Sequence, residues 1–319
     1  MLSSSFRPSL EEFSRAAAAI EHDAIQTPLL PFRATSATDI RLKAENLQPL
    51  GSFKIRAGAN ALAMLPEAEA AAGVATASAG NFAQGLALAA ARRRIKLTVH
   101  APSSAPAVKL AAIRQLGASI ETHPYNEWWQ IMSTRHTGRD DGRFIHPVCE
   151  TGVLLGNGTI ALELVKQWAC IDTVFVPVGG GGLLCGIALA FRALGARPRI
   201  IACEVETAAP LAQSRQAGRP VDIQRQPSFV DGIGGGGVLP EMWPLLQDLV
   251  DAVVVVSLDE IRQAMRVLAL ENHLVCEGAG AASVAAALSG RGGDGNCVAI
   301  VSGGNIDLSV FTDIVNMPV

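Results

Sequence analysis

The sequence predicts an α/β protein built from open, twisted, mostly parallel sheets with helices on both faces. Three observations carry that reading. Short runs rich in Val, Ile, Ala and Leu alternate with longer helix-like runs through almost the whole chain. The turns between them are repeatedly made of Gly, Ser and Asn, residues that let backbone N–H groups face a ligand at the start of a helix. Hydrophobic residues make up 49% of 319, enough to cover sheets on both faces.

The elements follow in order. In Leu47-Gln-Pro-Leu-Gly-Ser-Phe-Lys54, Pro49 and Gly51 read as a turn, Ser52 as a helix cap and 55–65 as the helix it starts. Lys54 then falls in the first turn, where the helix dipole disfavours a cation. Buried strands are expected at 74–77, 97–100, 119–122, 144–146, 173–178, 199–205, 252–256 and 297–301. Helices are expected between them at 82–93, 106–116, 127–135, 153–168, 183–194, 208–217, 258–270 and 277–288. Ser257-Leu-Asp-Glu260 is a capping box.

Composition excludes several classes. A net charge of -3 gives no broad basic field, so nucleic acid is not expected as a partner. No apolar run approaches the ~20 residues that span a bilayer, and no signal peptide is readable, so a soluble, cytoplasmic protein is expected. Six cysteines, at 149, 170, 185, 203, 276 and 297, form no CxxC pair and stand mostly among aliphatic residues, which points to buried reduced thiols. None of the six histidines lies three or four positions from another, so no helical metal pair is expected, and no G-x-S-x-G elbow supports a serine nucleophile. Trp128 and Trp129 read as helix packing, with lining of a site as the alternative.

Four loops can serve one ligand. Ser78-Ala-Gly-Asn81 follows one expected strand and opens a helix. Gly179-Gly-Gly-Gly182 does the same after the strand at 173–178; with no Cβ on the turn, backbone can close around a phosphate, although the tract matches neither a Rossmann fingerprint nor a Walker loop. Ser302-Gly-Gly-Asn305 places a hydroxyl at the end of the last strand. Asp231-Gly-Ile-Gly-Gly-Gly-Gly237 reads equally as a mobile lid or a close-approach wall.

Taken together and in this order, Ser-Phe-Lys, Ser-x-Gly-Asn, the tetraglycine loop and Ser-Gly-Gly-Asn resemble the fold-type II pyridoxal-phosphate enzymes, the tryptophan synthase β-like fold. The chain is most similar to their threonine/serine dehydratase (ammonia-lyase) and serine racemase branch. Glu45-Asn-Leu-Gln-Pro49, Gly156-Asn-Gly-Thr-Ile160 and Glu277-Gly-Ala-Gly-Ala281 extend the match from about Thr27 to Asp307. The resemblance implies a larger domain of residues 1–71 and 148–319, a smaller one of 72–147, and a homodimer. It makes Lys54 the catalytic residue that joins the cofactor aldehyde, and assigns cofactor contacts to Phe53, Lys54, Asn81, Gly179, Gly180, Gly181, Gly182, Leu183, Gly232, Glu277 and Ser302. Ser78, Ala79, Gly80, Asn81 and Phe82 would grip the substrate carboxylate. The implied reaction is elimination of water from a β-hydroxy-L-amino acid, giving a 2-oxo acid and ammonia.

Departures from the family pattern sharpen these expectations. Serine racemases carry a second serine where this chain has Ala79, so racemisation is expected to be slow. Phe82 replaces the usual histidine, and Gly234 to Gly237 leave unusual room, which together suggest a bulkier substrate such as a phenylserine. Relatives that bind a divalent cation use a Glu and an Asp six residues later; here Glu204 matches but Pro210 stands at the second position, with Glu206 as a substitute, and no metal is expected. No C-terminal regulatory domain is expected after the Ser302 loop. The rival readings are an amino-acid racemase, a β-replacement enzyme and a catalytically silent cofactor-binding protein.

Overall fold

The computed structural model describes residues 5–34, 36 and 39–317. Along the chain run α1 (Leu10–Ala19), β1 (Leu29–Pro31), β2 (Asp39–Lys43), two short 3-10 turns, α2 (Lys54–Ala63), α3 (Glu67–Ala72), β3 (Val74–Ala77), α4 (Asn81–Arg93), β4 (Leu97–Pro102), α5 (Ala107–Gln115), β5 (Ser119–His123), α6 (Tyr125–Thr134) and β6 (Arg143–Phe144). There follow α7 (Thr151–Gln167), β7 (Thr173–Pro177), α8 (Gly182–Ala193), β8 (Arg199–Val205), α9 (Pro210–Ala217), α10 (Trp243–Leu249), β9 (Ala252–Val256), α11 (Leu258–Leu270), α12 (Gly278–Leu288), β10 (Asn296–Ile300) and α13 (Leu308–Asn316).

The strands form two sheets, ordered β1-β2-β10-β7-β8-β9 and β5-β4-β3-β6. Only the edge pair β1/β2 is antiparallel; all other described pairs are parallel. From β7 the chain proceeds outward through β8 and β9 and then returns to β7's other side as β10, so the carboxyl ends of β7 and β10 flank a point where connections diverge. Open parallel sheets hold ligands at such points. Apolar clusters cover both faces of the large sheet: α7, α8 and α10 on one, α11 and α12 on the other.

Most expected elements appear within a residue or two, and the differences have local causes. The strand expected at 144–146 stops at Phe144 because His146 turns its Nδ1 onto the N–H groups of Val148 and Cys149, at 3.1 and 2.9 Å. The expected helix at 208–217 begins at Pro210, and that at 277–288 keeps Glu277 at its N-cap. Unforeseen were β1, β2, α1, α3, α10 and α13. β2 reads as charged, yet its Lys43 is fully buried because Glu163, Gln167 and the Thr27 carbonyl receive its ammonium. α1 carries an overlooked capping box, Ser9 with Glu12. The capping box at Ser257 and Glu260 is present.

No disulfide joins the six cysteines; five are buried and Cys170 is exposed. Among the described residues no helix is long and apolar enough to cross a membrane.

Candidate active site

Between the two sheets lies a cavity of about 290 Å³. Its walls include Phe53 and Lys54, the loop from Ser78 through Ala79, Gly80 and Asn81 to Phe82, the tetraglycine Gly179 to Gly182 with Leu183, and Gly232, Glu277 and Ser302. The structure therefore brings together every residue to which the resemblance assigns a cofactor or substrate contact.

Lys54 opens α2, and its position is built from behind. Ser52 is extended and bridges Gly303; its hydroxyl accepts the Lys54 N–H at 3.4 Å, although the cap position of the helix falls on Phe53, one residue after the Ser52 expected. Phe53 N–H donates to the Ser302 carbonyl at 3.1 Å and Gly304 N–H to the Gly51 carbonyl at 2.9 Å, so main chain ties the lysine turn to the Ser302 loop. One turn on, Arg56 is held bidentate by Glu45 at 2.8 and 2.9 Å and bonds Glu163 at 2.6 Å. Gln48 exchanges hydrogen bonds with the backbone of Ile25 at 2.9 and 2.7 Å. The Glu-Asn-Leu-Gln-Pro segment is thus scaffold, fixing the helix that carries the lysine.

The small sheet reaches the same turn through glycine. α4 crosses α2 so closely that a Cβ on Gly58 would lie 2.8 Å from Leu86 N, and one on Gly85 2.9 Å from the Lys54 carbonyl carbon. Phe82, expected to shape the substrate pocket, is almost fully buried in the core of this unit and shows the cavity only part of its ring, 5.7 Å from Lys54 Nζ.

Electrostatically the site favours neutral groups. Burial pulls the Lys54 amine down to about 8, against the opposing pull of Glu277. Burial likewise pushes the Glu277 carboxyl up to about 7, against the hydrogen bond from Asn81. Asn81 Nδ2 donates to Glu277 Oε1 at 3.0 Å, while its Oδ1 accepts from Asn305 Nδ2 at 2.9 Å. Asn305 was visible in Ser-Gly-Gly-Asn but carried no role; it orients Asn81. Trp128, Met132, Val148, Asp231 and Ile233 also line the cavity without having been singled out as site residues. Trp128 offered the best signal, and its indole N–H is taken by the His100 carbonyl at 3.1 Å.

At the tetraglycine, α8 starts with Cys185 N–H bonded to the Gly181 carbonyl at 2.9 Å, which leaves the N–H groups of Gly182, Leu183 and Leu184 without an acceptor in the helix. A Cβ on Gly180 would sit 2.6 Å from Val148, and Gly181 has φ +92°. Backbone donors, no side chains and a helix N-terminus make a cradle for a phosphate.

Gly234 to Gly237 differ: they lie outside the cavity walls, Gly234 against Ala208 and Gly237 against Asp222. The room inferred from them does not open onto the site. A second cavity of about 570 Å³ adjoins it, sharing Asn81, Asp231 and Glu277. Glu204 gives both carboxylate oxygens to the N–H groups of Leu211 and Ala212, each at 2.8 Å, and Glu206 accepts Leu258 N–H at 2.7 Å; both carboxylates anchor helices.

A buried amine beside a phosphate cradle, at the diverging strand ends of a parallel sheet, defines a class: α/β enzymes that bind a phosphorylated carbonyl cofactor. The chain belongs to the pyridoxal-phosphate-dependent enzyme family, whose family model matches residues 20–303. It is 38% identical over 281 residues to an L-threonine ammonia-lyase of Thermotoga maritima, covering 87% of this chain and 70% of the relative. Identity to the catabolic L-threonine dehydratase of Escherichia coli is also 38%, over 86% of this chain and 85% of that one. The solved structure of maize serine racemase superposes with a TM-score of 0.89 at 31% identity, covering 97% of each chain. The fold is therefore fold-type II and the cofactor pyridoxal phosphate, and the cradle and amine described above suit its phosphate and its aldehyde.

Proposed function

We propose that the protein eliminates water from a β-hydroxy-L-amino acid of the threonine or serine type, releasing a 2-oxo acid and ammonia. The observation that carries this reading is a desolvated amine, Lys54, facing a cavity whose substrate-side loop offers Ala79 where racemases place a hydroxyl. The relatives named threonine ammonia-lyase and threonine dehydratase support it.

When bound, pyridoxal phosphate supplies the electron sink that makes the α-proton of an amino acid labile. The chain does the rest. Backbone N–H groups at Gly179 to Leu183 would hold the phosphate, Asn81 would meet the ring hydroxyl, and Phe53 and Gly232 would lie beside the ring. Ser302, in the cavity wall, would offer its hydroxyl to the ring nitrogen, and a hydroxyl there would leave that nitrogen unprotonated where a carboxylate would protonate it. Ser78 to Phe82, at the N-terminus of α4, orient the substrate carboxylate. Lys54, whose amine burial brings down to about 8, takes the α-proton in its neutral form. Glu277 holds Asn81 in place. In this reading residues 72–147 form the smaller domain, supported by the four-stranded sheet lying wholly within them.

The adjoining apolar cavity, with Phe229, Leu308 and Val310 in its wall, favours a second reading in which the β-substituent is larger, as in a phenylserine. Comparing kcat/KM for L-threonine, L-serine and phenylserine decides between them: a clear preference for threonine or serine removes the second reading, and no ammonia from any of the three removes both.

A further inference from the structure

A second group of nitrogen and oxygen donors lies outside the cavity and has no part in the reaction above. Strands β4 and β5 run in parallel register with His100 opposite Glu121 and Pro102 opposite His123. Alternate residues of a strand share a face, so His100, Glu121 and His123 project from the same side of the small sheet. The same side bears Ala77, the register partner of His100, which packs with Ile131 and Met132 of α6. One donor atom from each of the three residues lies within 4.8 Å of the other two.

The details distinguish this cluster from a chance meeting of polar side chains. The His100 ring is completely buried, an unusual position for an imidazole unless both nitrogens are engaged. Its Nε2 stands 2.6 Å from Asp141 Oδ2, and Asp141 is itself held by the Thr137 hydroxyl at 2.7 Å. With Nε2–H donating to that carboxylate, the Nδ1 lone pair points at His123 Nε2, 2.8 Å away. A carboxylate behind an imidazole whose other nitrogen faces further donors is the arrangement that orients a histidine ligand on a metal. Glu121 gives Oε2 to Arg139 at 2.9 Å and keeps its other oxygen for a third bond.

We propose that His100, His123 and Glu121 bind a zinc ion, with Asp141 as a positioning residue and a water in the fourth place. Two imidazoles and one carboxylate suit zinc, whereas calcium and magnesium take oxygen donors almost exclusively. At zinc–nitrogen distances of about 2.0–2.1 Å, two nitrogens on one tetrahedral ion stand roughly 3.3 Å apart. Binding therefore replaces the proton now shared by the two rings and spreads them by about 0.5 Å, a movement open to the partly exposed His123. The ion has a structural reach: the His100 carbonyl accepts the Ser78 N–H and the Trp128 indole N–H, each at 3.1 Å, and both residues line the active-site cavity. The sequence hid the site because its histidines are joined across strands and not along a helix.

Zinc uptake by the holoenzyme carrying Cys170→Ser, which removes the exposed thiol, is measured in competition with a chromophoric chelator. One zinc per chain is expected, with a rise in melting temperature. His123→Asn and Glu121→Gln should each weaken binding by tens of fold or more, and Asp141→Asn by about 10–100-fold. Cobalt(II) in place of zinc should show d–d absorption of a four-coordinate nitrogen and oxygen site without a thiolate charge-transfer band. His123→Asn is checked for folding by its melting temperature; if it does not fold, Glu121→Gln decides. Failure of the Cys170→Ser protein to take up zinc saturably, or equal affinity in the folded variants, overturns the proposal.

Discussion

The two walls of the cavity are held by different physics. On the large-sheet side, Lys54, the tetraglycine and Ser302 rest on main-chain hydrogen bonds, strand ends and the buried Arg56, Glu45, Glu163 and Lys43 ion network. On the small-sheet side, the Ser78 loop and Trp128 belong to a unit joined to the rest by the glycine crossing of α2 and α4 and by half-exposed ion pairs, Lys109 with Asp231 and Arg135 with Glu241. Exposed pairs of this kind contribute about 0–1 kcal/mol each, so they hold this unit only weakly. On the reading proposed above, the contrast implies a division of labour: the cofactor phosphate and the lysine would sit on the rigid wall, and the loop proposed for the substrate carboxylate on the other.

The largest effect is expected at the rigid wall's reactive group. Lys54→Ala should lower turnover by about 10⁴-fold or more and abolish the visible absorbance of lysine-bound cofactor, while the melting temperature of the cofactor-free protein stays close to that of the parent. Arg56→Ala comes next. It takes from the buried Glu45 its only directly bonded cation among the described residues and leaves Glu163 one partner short, and should cost about 3–5 kcal/mol in urea unfolding. A cost under about 1 kcal/mol would show that the network does not support the wall.

The two glycine tracts sharpen the comparison. Gly181→Ala forces a side chain into a left-handed backbone, at about 1–2 kcal/mol, and should weaken cofactor binding by roughly tenfold. At Gly235 a Cβ would meet nothing nearer than the Gly237 carbonyl oxygen at 3.6 Å, so Gly235→Ala should leave cofactor binding and stability within about 0.5 kcal/mol. Equal losses in cofactor affinity would erase the distinction drawn between the tracts.

Protonation gives a subtler effect. Burial holds the Lys54 amine pKa at about 8, below its ordinary 10.5, so the nucleophilic neutral form grows as the pH rises through 8. Reassociation of cofactor with the cofactor-free protein should accelerate about fivefold from pH 7 to pH 8 and level off above 9. A midpoint near 10.5 would mean that burial does not tune the amine. The smallest effect belongs to the small-sheet wall: Lys109→Ala should change stability by less than about 1 kcal/mol while altering KM more than kcat.

Much of this was legible in the sequence. Parallel strands announce themselves as short continuous apolar runs, and the site residues sit where such runs end, in Ser78-Ala-Gly-Asn81, the tetraglycine and Ser302-Gly-Gly-Asn305. What stayed hidden depends on contacts between distant segments. Nothing local in Asp39 to Lys43 reveals a buried strand, because its charge is neutralised by Glu163, 120 positions away. Gly234 to Gly237 looked like room beside the substrate because glycine composition does not report which neighbour a missing Cβ would touch. The partnership of Asn305 with Asn81, and that of His100 with His123 and Asp141, likewise exist only once the sheets are assembled.

The central claim is elimination by an amine that works without a hydroxyl opposite it. Its most direct test follows the purified holoenzyme on L-serine, measuring ammonia and 2-oxo acid release together with D-serine by chiral separation. The account predicts release of ammonia and 2-oxo acid in equal amounts, lost in Lys54→Ala, with D-serine forming far more slowly. D-serine appearing at a rate equal to ammonia release would contradict it.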